Sequence, residues 1–212
     1  MSCFLFDFDG TLVDSMPTFG ALMIRILNEE GVEYPDDIVK IITPLGYAGT
    51  ARYFIEKLGV KSTEDELICR MNEYALHAYS YEITEKEGVR EALLALKEAG
   101  HSLSVLTASP HETLDPCLIR LGLYGLFDNV WSCNDFGTTK SNPEIYLMAA
   151  ELIGAAPENI TFLDDNIDAD KTAKLAGLRV IGVYDESSAE YEGEMRRVCD
   201  GYVRSLTELI EK

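Results

Sequence analysis

The sequence predicts a doubly wound α/β domain, a parallel sheet with helices on both faces, interrupted after its first strand by an all-α helical insertion. Three observations carry this. The chain opens on the apolar run Phe4-Leu5-Phe6, which ends at Asp7 and Asp9. From Gly88 onward, short apolar runs alternate with amphipathic segments, the pattern of parallel strands joined by helical crossovers. Between these regions, helix follows helix with no strand. The expected division is a core of residues 1–15 and 85–212 and a helical cap domain of residues 16–84.

In order, the first strand runs up to Asp7. Phe19, Leu22, Met23, Ile26 and Leu27 then recur at i, i+3, i+4, i+7 and i+8 before Gly31, one amphipathic helix with its stop. A weaker helix is expected over about 35–42. Another starts from a Thr50 cap and runs through Phe54 and Leu58 to Gly59, and a third follows Thr63, whose partner Glu66 completes a capping box. In the second half, a helix carrying Val89, Leu93 and Leu96 ends at Gly100, and "LSVLT" reads as a buried strand. Ser109-Pro110 and Asp115-Pro116 each offer a cap with a first-turn proline for the next helix. A strand near 129–132, a helix from Asn142-Pro143 to Gly154, a strand in "NITFLDD", a helix over "DADKTAKLAG" and a strand in "RVIGV" follow. The tail "DGYVRSLTEL" reads as a short edge strand and a final helix. Connectors near 14–17 and 82–88 are expected to be hinges.

Composition narrows the partners. The 212 residues include 37 acids and 18 bases, a formal charge of −19 that repels nucleic-acid phosphates and anionic membrane surfaces. Hydrophobic residues make up 47% of the chain, ample for a packed core. The opening apolar run is too short to span a membrane and lacks the flanks of a signal peptide, so Met1 is expected to be the mature start. Five irregularly spaced cysteines with no CxxC fit a reducing cytoplasm better than a disulfide framework or a zinc site. His77, His101 and His111 are scattered singly and read as structural or surface residues. The acidic stretch 185–194 reads as solvated surface.

In open parallel sheets, ligands bind beyond the carboxyl ends of the strands. Those ends carry Asp7 and Asp9, Thr107, and Asp164 with Asp165, while the turn after the third strand leads to Lys140. Four carboxylates close together raise one another's pKa unless a cation joins them, and oxygen donors without His or Cys favour Mg²⁺. With a lysine for the remaining charge, the set suits phosphoryl transfer.

"DFDGT" at 7–11, "LTAS" at 106–109, "KSNPE" at 140–144 and "FLDDN" at 162–166 resemble, in order and spacing, the four motifs of the haloacid dehalogenase superfamily. The helical insertion is similar to the cap of its phosphoglycolate phosphatase and β-phosphoglucomutase branch. The resemblance implies a Rossmann-like core and a Mg²⁺-dependent phosphatase acting on a small phosphate ester. It implies that Asp7 is the nucleophile that becomes an aspartyl-phosphate and that Asp9 is the general acid and base, lending its carbonyl to the metal. Thr107 and the Ala108 amide would hold phosphate oxygens, and Lys140 would neutralise Asp7 and the transferring group. Asp165 would ligate the metal with Asp7, and Asp164 would be a further direct or water-mediated ligand, at a position where many relatives carry glycine.

Other chemistries of the same superfamily fit less well. A dehalogenase lacks the second acid of the pair. A β-phosphoglucomutase carries a histidine where this chain has Phe19. A phosphonatase uses a cap lysine, and nothing near Lys40, Lys57 or Lys61 would lower its pKa. A phospho-acceptor signalling domain of the receiver type is the reading from another class, but there the acidic pair precedes the lysine and no helical insertion follows strand one. "TPLGYAG" at 43–49 reads as a loop between cap helices, and Thr43, Gly46, Tyr47 and Arg52 are candidates for substrate specificity.

Overall fold

The computed structural model describes residues 2–210. Its six strands, β1 (Cys3–Phe6), β2 (Ser102–Thr107), β3 (Asn129–Ser132), β4 (Ile160–Asp164), β5 (Arg179–Val183) and β6 (Gly201–Val203), form one sheet in the order β3-β2-β1-β4-β5-β6. Every pairing is parallel. Strand β1 therefore lies at the centre, between β2 and β4, where the winding of the sheet reverses direction. Such a strand is covered on both faces, which explains why Leu5 and Phe6 are fully buried.

The chain divides into two compact units: residues up to Asp14 with Ile83 onward, and Ser15–Glu82. The first unit contains the sheet and the helices α5 (Val89–Glu98), α6 (His111–Arg120), α7 (Cys133–Phe136), α8 (Glu144–Ile153), α9 (Ile167–Leu175) and α10 (Glu192–Val198). One of its cores is built from Leu5, Phe162 and Val180 of the sheet with Ile145, Tyr146 and Ala149 of α8 and Ala173 of α9. Within this unit the outgoing and returning connectors are paired. Val13 bridges Glu85, and the Asp14 amide donates to the Thr84 carbonyl at 3.0 Å.

The second unit is all-helical: α1 (Met16–Glu30), α2 (Ile38–Ile42), α3 (Gly46–Leu58) and α4 (Glu64–Tyr81). Left-handed Gly31 and Gly59 end α1 and α3, as the pattern predicts. The Thr63–Glu66 capping box starts α4. Met23, Ile26, Leu27, Phe54, Leu67 and Met71 form its core.

The structure corrects several expectations. Helix α3 begins at Gly46, so Thr50 is not its cap; it is buried inside the helix, donating to the Ile42 carbonyl at 3.4 Å. The expected 43–49 loop is a 3₁₀ turn, Thr43–Leu45, running into the first turn of α3. Gly46, at φ 63°, makes the junction. Burial of Thr50, with a helical partner for its hydroxyl, outweighs its preference for a cap. A short helix, α7, stands where only a turn was expected. The final helix is a 3₁₀ turn, Leu206–Leu209. Of the two proline starts, the one at Pro110 is used and Pro116 lies inside α6.

Phe54→Ala should cost about 3–5 kcal/mol, the usual range for emptying a fully buried aromatic site. Urea unfolding measures it, and a loss below about 1 kcal/mol would contradict the packing described.

Candidate active site

Register places the acids. Phe6 pairs with Val105 on β2 and with Leu163 on β4, so Asp7 and Asp164 are the next residues along adjacent strands. The Asp7 amide still donates to the Leu163 carbonyl at 2.8 Å, which holds its backbone as part of the sheet. Both carboxylates are buried, Asp164 completely and Asp7 at 4% exposure. One oxygen each from Asp7, Asp164 and Asp165 lie within 4.8 Å of one another, and among the described residues this is the group close enough to hold a metal ion.

Lys140 reaches into this group from the loop between α7 and α8. Its ammonium donates to Asp7 Oδ1 at 2.5 Å and to Asp164 Oδ2 at 2.7 Å. Lys140 is held from behind: the Tyr146 hydroxyl lies 3.2 Å from the Lys140 carbonyl oxygen and 3.2 Å from that of Ala169. The second oxygen of Asp164 accepts from the Asn166 amide at 2.8 Å. Asp164 thus orients the lysine as much as it offers a ligand atom.

The helix after β4 is capped by Asn166, which accepts from the Asp168 and Ala169 amides, so Asp164 and Asp165 are not spent as caps. Asp165 faces the turn after β1. The Thr11 hydroxyl is 3.4 Å from its Oδ1. Gly10, at φ 74°, lies so near that a Cβ there would stand 2.6 Å from Asp165 Oδ2. Only glycine tolerates both the backbone angle and that approach.

Asp9 belongs to a second chain of contacts. The Ser109 hydroxyl donates to Asp9 Oδ2 at 2.5 Å, and the Ser109 amide donates to the buried Thr107 hydroxyl at 3.0 Å. Ser109 is therefore not the side-chain cap of α6; Pro110 occupies the cap position, with no side-chain bond. Ala108 is exposed beside them. Thr43, Gly46, Tyr47 and Arg52 lie in the helical unit. There, Thr43 donates to the Val39 carbonyl, Tyr47 stacks on Phe19 at 6.2 Å and Arg52 pairs with Glu64 at 3.0 Å.

The electrostatics follow from burial. Desolvation pushes the Asp7 carboxyl up to about 8; Lys140 opposes this, and Asp164 and Asp9 add to it. Burial, Asp164 and Asp7 likewise raise Asp165 well above the carboxylate range. Burial works against the Lys140 ammonium, but Asp164 and Asp7 hold its pKa well above the ordinary value. One ammonium among these acids leaves an excess of negative charge, which a divalent cation with a preference for hard oxygen donors would relieve. The donor set fits Mg²⁺.

Several nearby residues were not legible as part of this region. Ser109 looked like a cap because a proline follows it. Asp185 was expected on a solvated surface but is buried and paired with Lys86 at 2.9 Å. Asp170 is fully buried; one carboxylate oxygen lies 3.2 Å from the Cys199 thiol and the other has no partner among the described residues.

Residues 4–183 match the family model described as haloacid dehalogenase-like hydrolase, and the chain belongs to that family. It is 29% identical over 184 residues to the phosphorylated carbohydrates phosphatase of Thermotoga maritima, covering 86% of this chain and 85% of that protein. To the phosphoglycolate phosphatase of Aquifex aeolicus it is 30% identical over 182 residues, 84% of this chain and 83% of the other. A solved structure of a β-phosphoglucomutase candidate from Thermotoga maritima matches with a TM-score of 0.84 at 26% identity, over 99% of this chain and 97% of that one. CbbY from Rhodobacter sphaeroides in complex with phosphate shares the fold, with a TM-score of 0.79 at 22% identity over 99% and 96% of the two chains. No helix among the described residues is long and apolar enough to cross a membrane.

Burial raises the Asp170 carboxyl to about 8, with Asp164 adding to the rise. A carboxyl whose folded pKa lies above its unfolded value near 4 stabilises fully below that value and loses the contribution as pH rises toward 8. Asp170→Asn should therefore gain stability relative to the parent as pH is raised from 5 to 8, by at least ~1 kcal/mol. Thermal melts across that range check it; a gap independent of pH would contradict it.

Proposed function

We propose that this hydrolase is a phosphatase that cleaves a small phosphorylated metabolite, in the class of sugar phosphates and comparable esters, through a phosphorylated Asp7. The observation that carries the reading is the Lys140 ammonium bonded to both Asp7 and Asp164 within a buried acid cluster. A carboxylate held at a fixed strand end beside a permanent positive charge is suited to attack phosphorus. The relatives named as phosphatases of phosphorylated carbohydrates and of phosphoglycolate support the class of reaction.

In this account Asp7 attacks and releases the leaving alcohol, to which Asp9 gives a proton. Asp9 then takes a proton from water as it attacks the phosphorus of the aspartyl-phosphate. Ser109 fixes the carboxylate that makes both transfers. Thr107, the Ala108 amide and Lys140 would hold the phosphate oxygens, in the manner of an oxyanion site. The Asp7 and Asp165 carboxylates, the Asp9 carbonyl and, to a lesser degree, Asp164 would hold Mg²⁺, which when bound supplies positive charge against the phosphate.

The helical unit is the proposed cap, with Thr43, Gly46, Tyr47 and Arg52 as its specificity candidates. Phe19, where a β-phosphoglucomutase has histidine, weighs against a mutase. Five free thiols agree with a reducing cytoplasm as the working compartment.

Purified protein should hydrolyse p-nitrophenyl phosphate with Mg²⁺ and stop with EDTA. Asp7→Asn should lower turnover by about 10³-fold or more, and Lys140→Ala by about 10²-fold or more. Full activity in Asp7→Asn would refute the nucleophile. A panel of phosphorylated sugars and acids, scored for released phosphate and for isomerised product, separates phosphatase from mutase.

A further inference from the structure

Lys86 belongs to none of the four motifs. It lies in the segment by which the chain returns from the helical unit, and its ammonium spends all three N–H donors on protein acceptors. These are the Gly10 carbonyl at 2.5 Å, the Tyr184 carbonyl at 2.7 Å and Asp185 Oδ2 at 2.9 Å. One side chain thus joins the turn after β1 to the loop after β5. The main chain adds to the grip, since the Lys86 amide donates to the Leu12 carbonyl at 3.0 Å.

Each end of this staple bears on the acid cluster. Gly10 follows Asp9 directly and rests its backbone against the Asp165 carboxylate. Asp185 is buried, and its charge is felt at Asp165. Burial works against the Asp185 charge, but bonds from Ser187 and Lys86 hold its carboxyl below the ordinary value.

We propose that Lys86 is a positioning residue for the metal site: by holding the Gly10 carbonyl it keeps the Asp9 backbone and the Asp165 carboxylate in the arrangement that takes Mg²⁺. The inference rests on the Mg²⁺-dependent phosphatase reading above. Charge and tether make opposite demands. If Lys86 mattered only as a charge, its removal would leave the site more negative and Mg²⁺ would bind more tightly. As a tether, its removal frees the turn and weakens binding.

Calorimetric titration of the full chain with MgCl₂ distinguishes the two. Lys86→Met should bind Mg²⁺ about tenfold or more weakly, the usual effect of losing a group that orients a ligand. Its hydrolysis of p-nitrophenyl phosphate should recover as Mg²⁺ is raised, with KM for the ester changed less than about threefold. Asp185→Asn keeps an acceptor for Lys86 and should bind within about threefold of the parent. The double variant Lys86→Met/Asp185→Asn leaves no unpaired buried carboxylate at this position, so it guards against a folding defect, and it should be as weak as the single lysine variant. Binding as tight as the parent, or tighter, in a folded variant lacking Lys86 overturns the proposal. A parent protein that binds no Mg²⁺ overturns the underlying reading together with it.

Discussion

Lys140 bonded to both Asp7 and Asp164 is the interaction on which the proposed chemistry depends. Three carboxylates gathered within 4.8 Å at a buried strand end repel strongly, because water is not there to screen them. A buried ammonium offsets part of that repulsion, and it stays charged because the acids around it hold its proton. What remains is a deficit of positive charge that a hard divalent cation would relieve.

The backbone that maintains this crowding is the central strand of the sheet. Burial on both faces fixes the end of β1, and its register with β4 sets Asp7 beside Asp164. Around that fixed point, small devices keep the acids unspent: Asn166 caps α9, glycine at position 10 lets the turn lie against Asp165, and Ser109 holds Asp9. Phe162, Tyr146 and the neighbouring core side chains resist any shift of β4. The packing that makes the sheet rigid therefore also holds the acid cluster together.

Much of the architecture was legible because strand and helix periods differ and because left-handed glycines mark helix ends. The convergence of Asp7, Asp164 and Asp165 could be read from strand ends, and that of Lys140 from the turn after the third strand. What escaped depended on tertiary context. Thr50 looked like a cap because threonine caps helices when exposed, but packing buries it within α3. Ser109 looked like a cap because a proline follows, but a carboxylate 100 positions away in sequence captured its hydroxyl. Asp185 sat in an acidic run typical of solvated surface, and only the fold reveals the lysine that takes it inside. The final segment, read as a helix, closes a 3₁₀ turn over Leu206–Leu209.

The central claim, that Asp7 carries the phosphoryl group, is tested most directly by trapping it. In Asp9→Asn the p-nitrophenolate leaving group needs no proton, so the first step can proceed while the water that completes the second lacks its base. Acid quench after mixing with p-nitrophenyl phosphate, followed by peptide mass spectrometry, should find a hydroxylamine-labile phosphoryl group on Asp7. Release of p-nitrophenolate with no phosphorylated Asp7, or a phosphoryl group on another residue, would contradict the account.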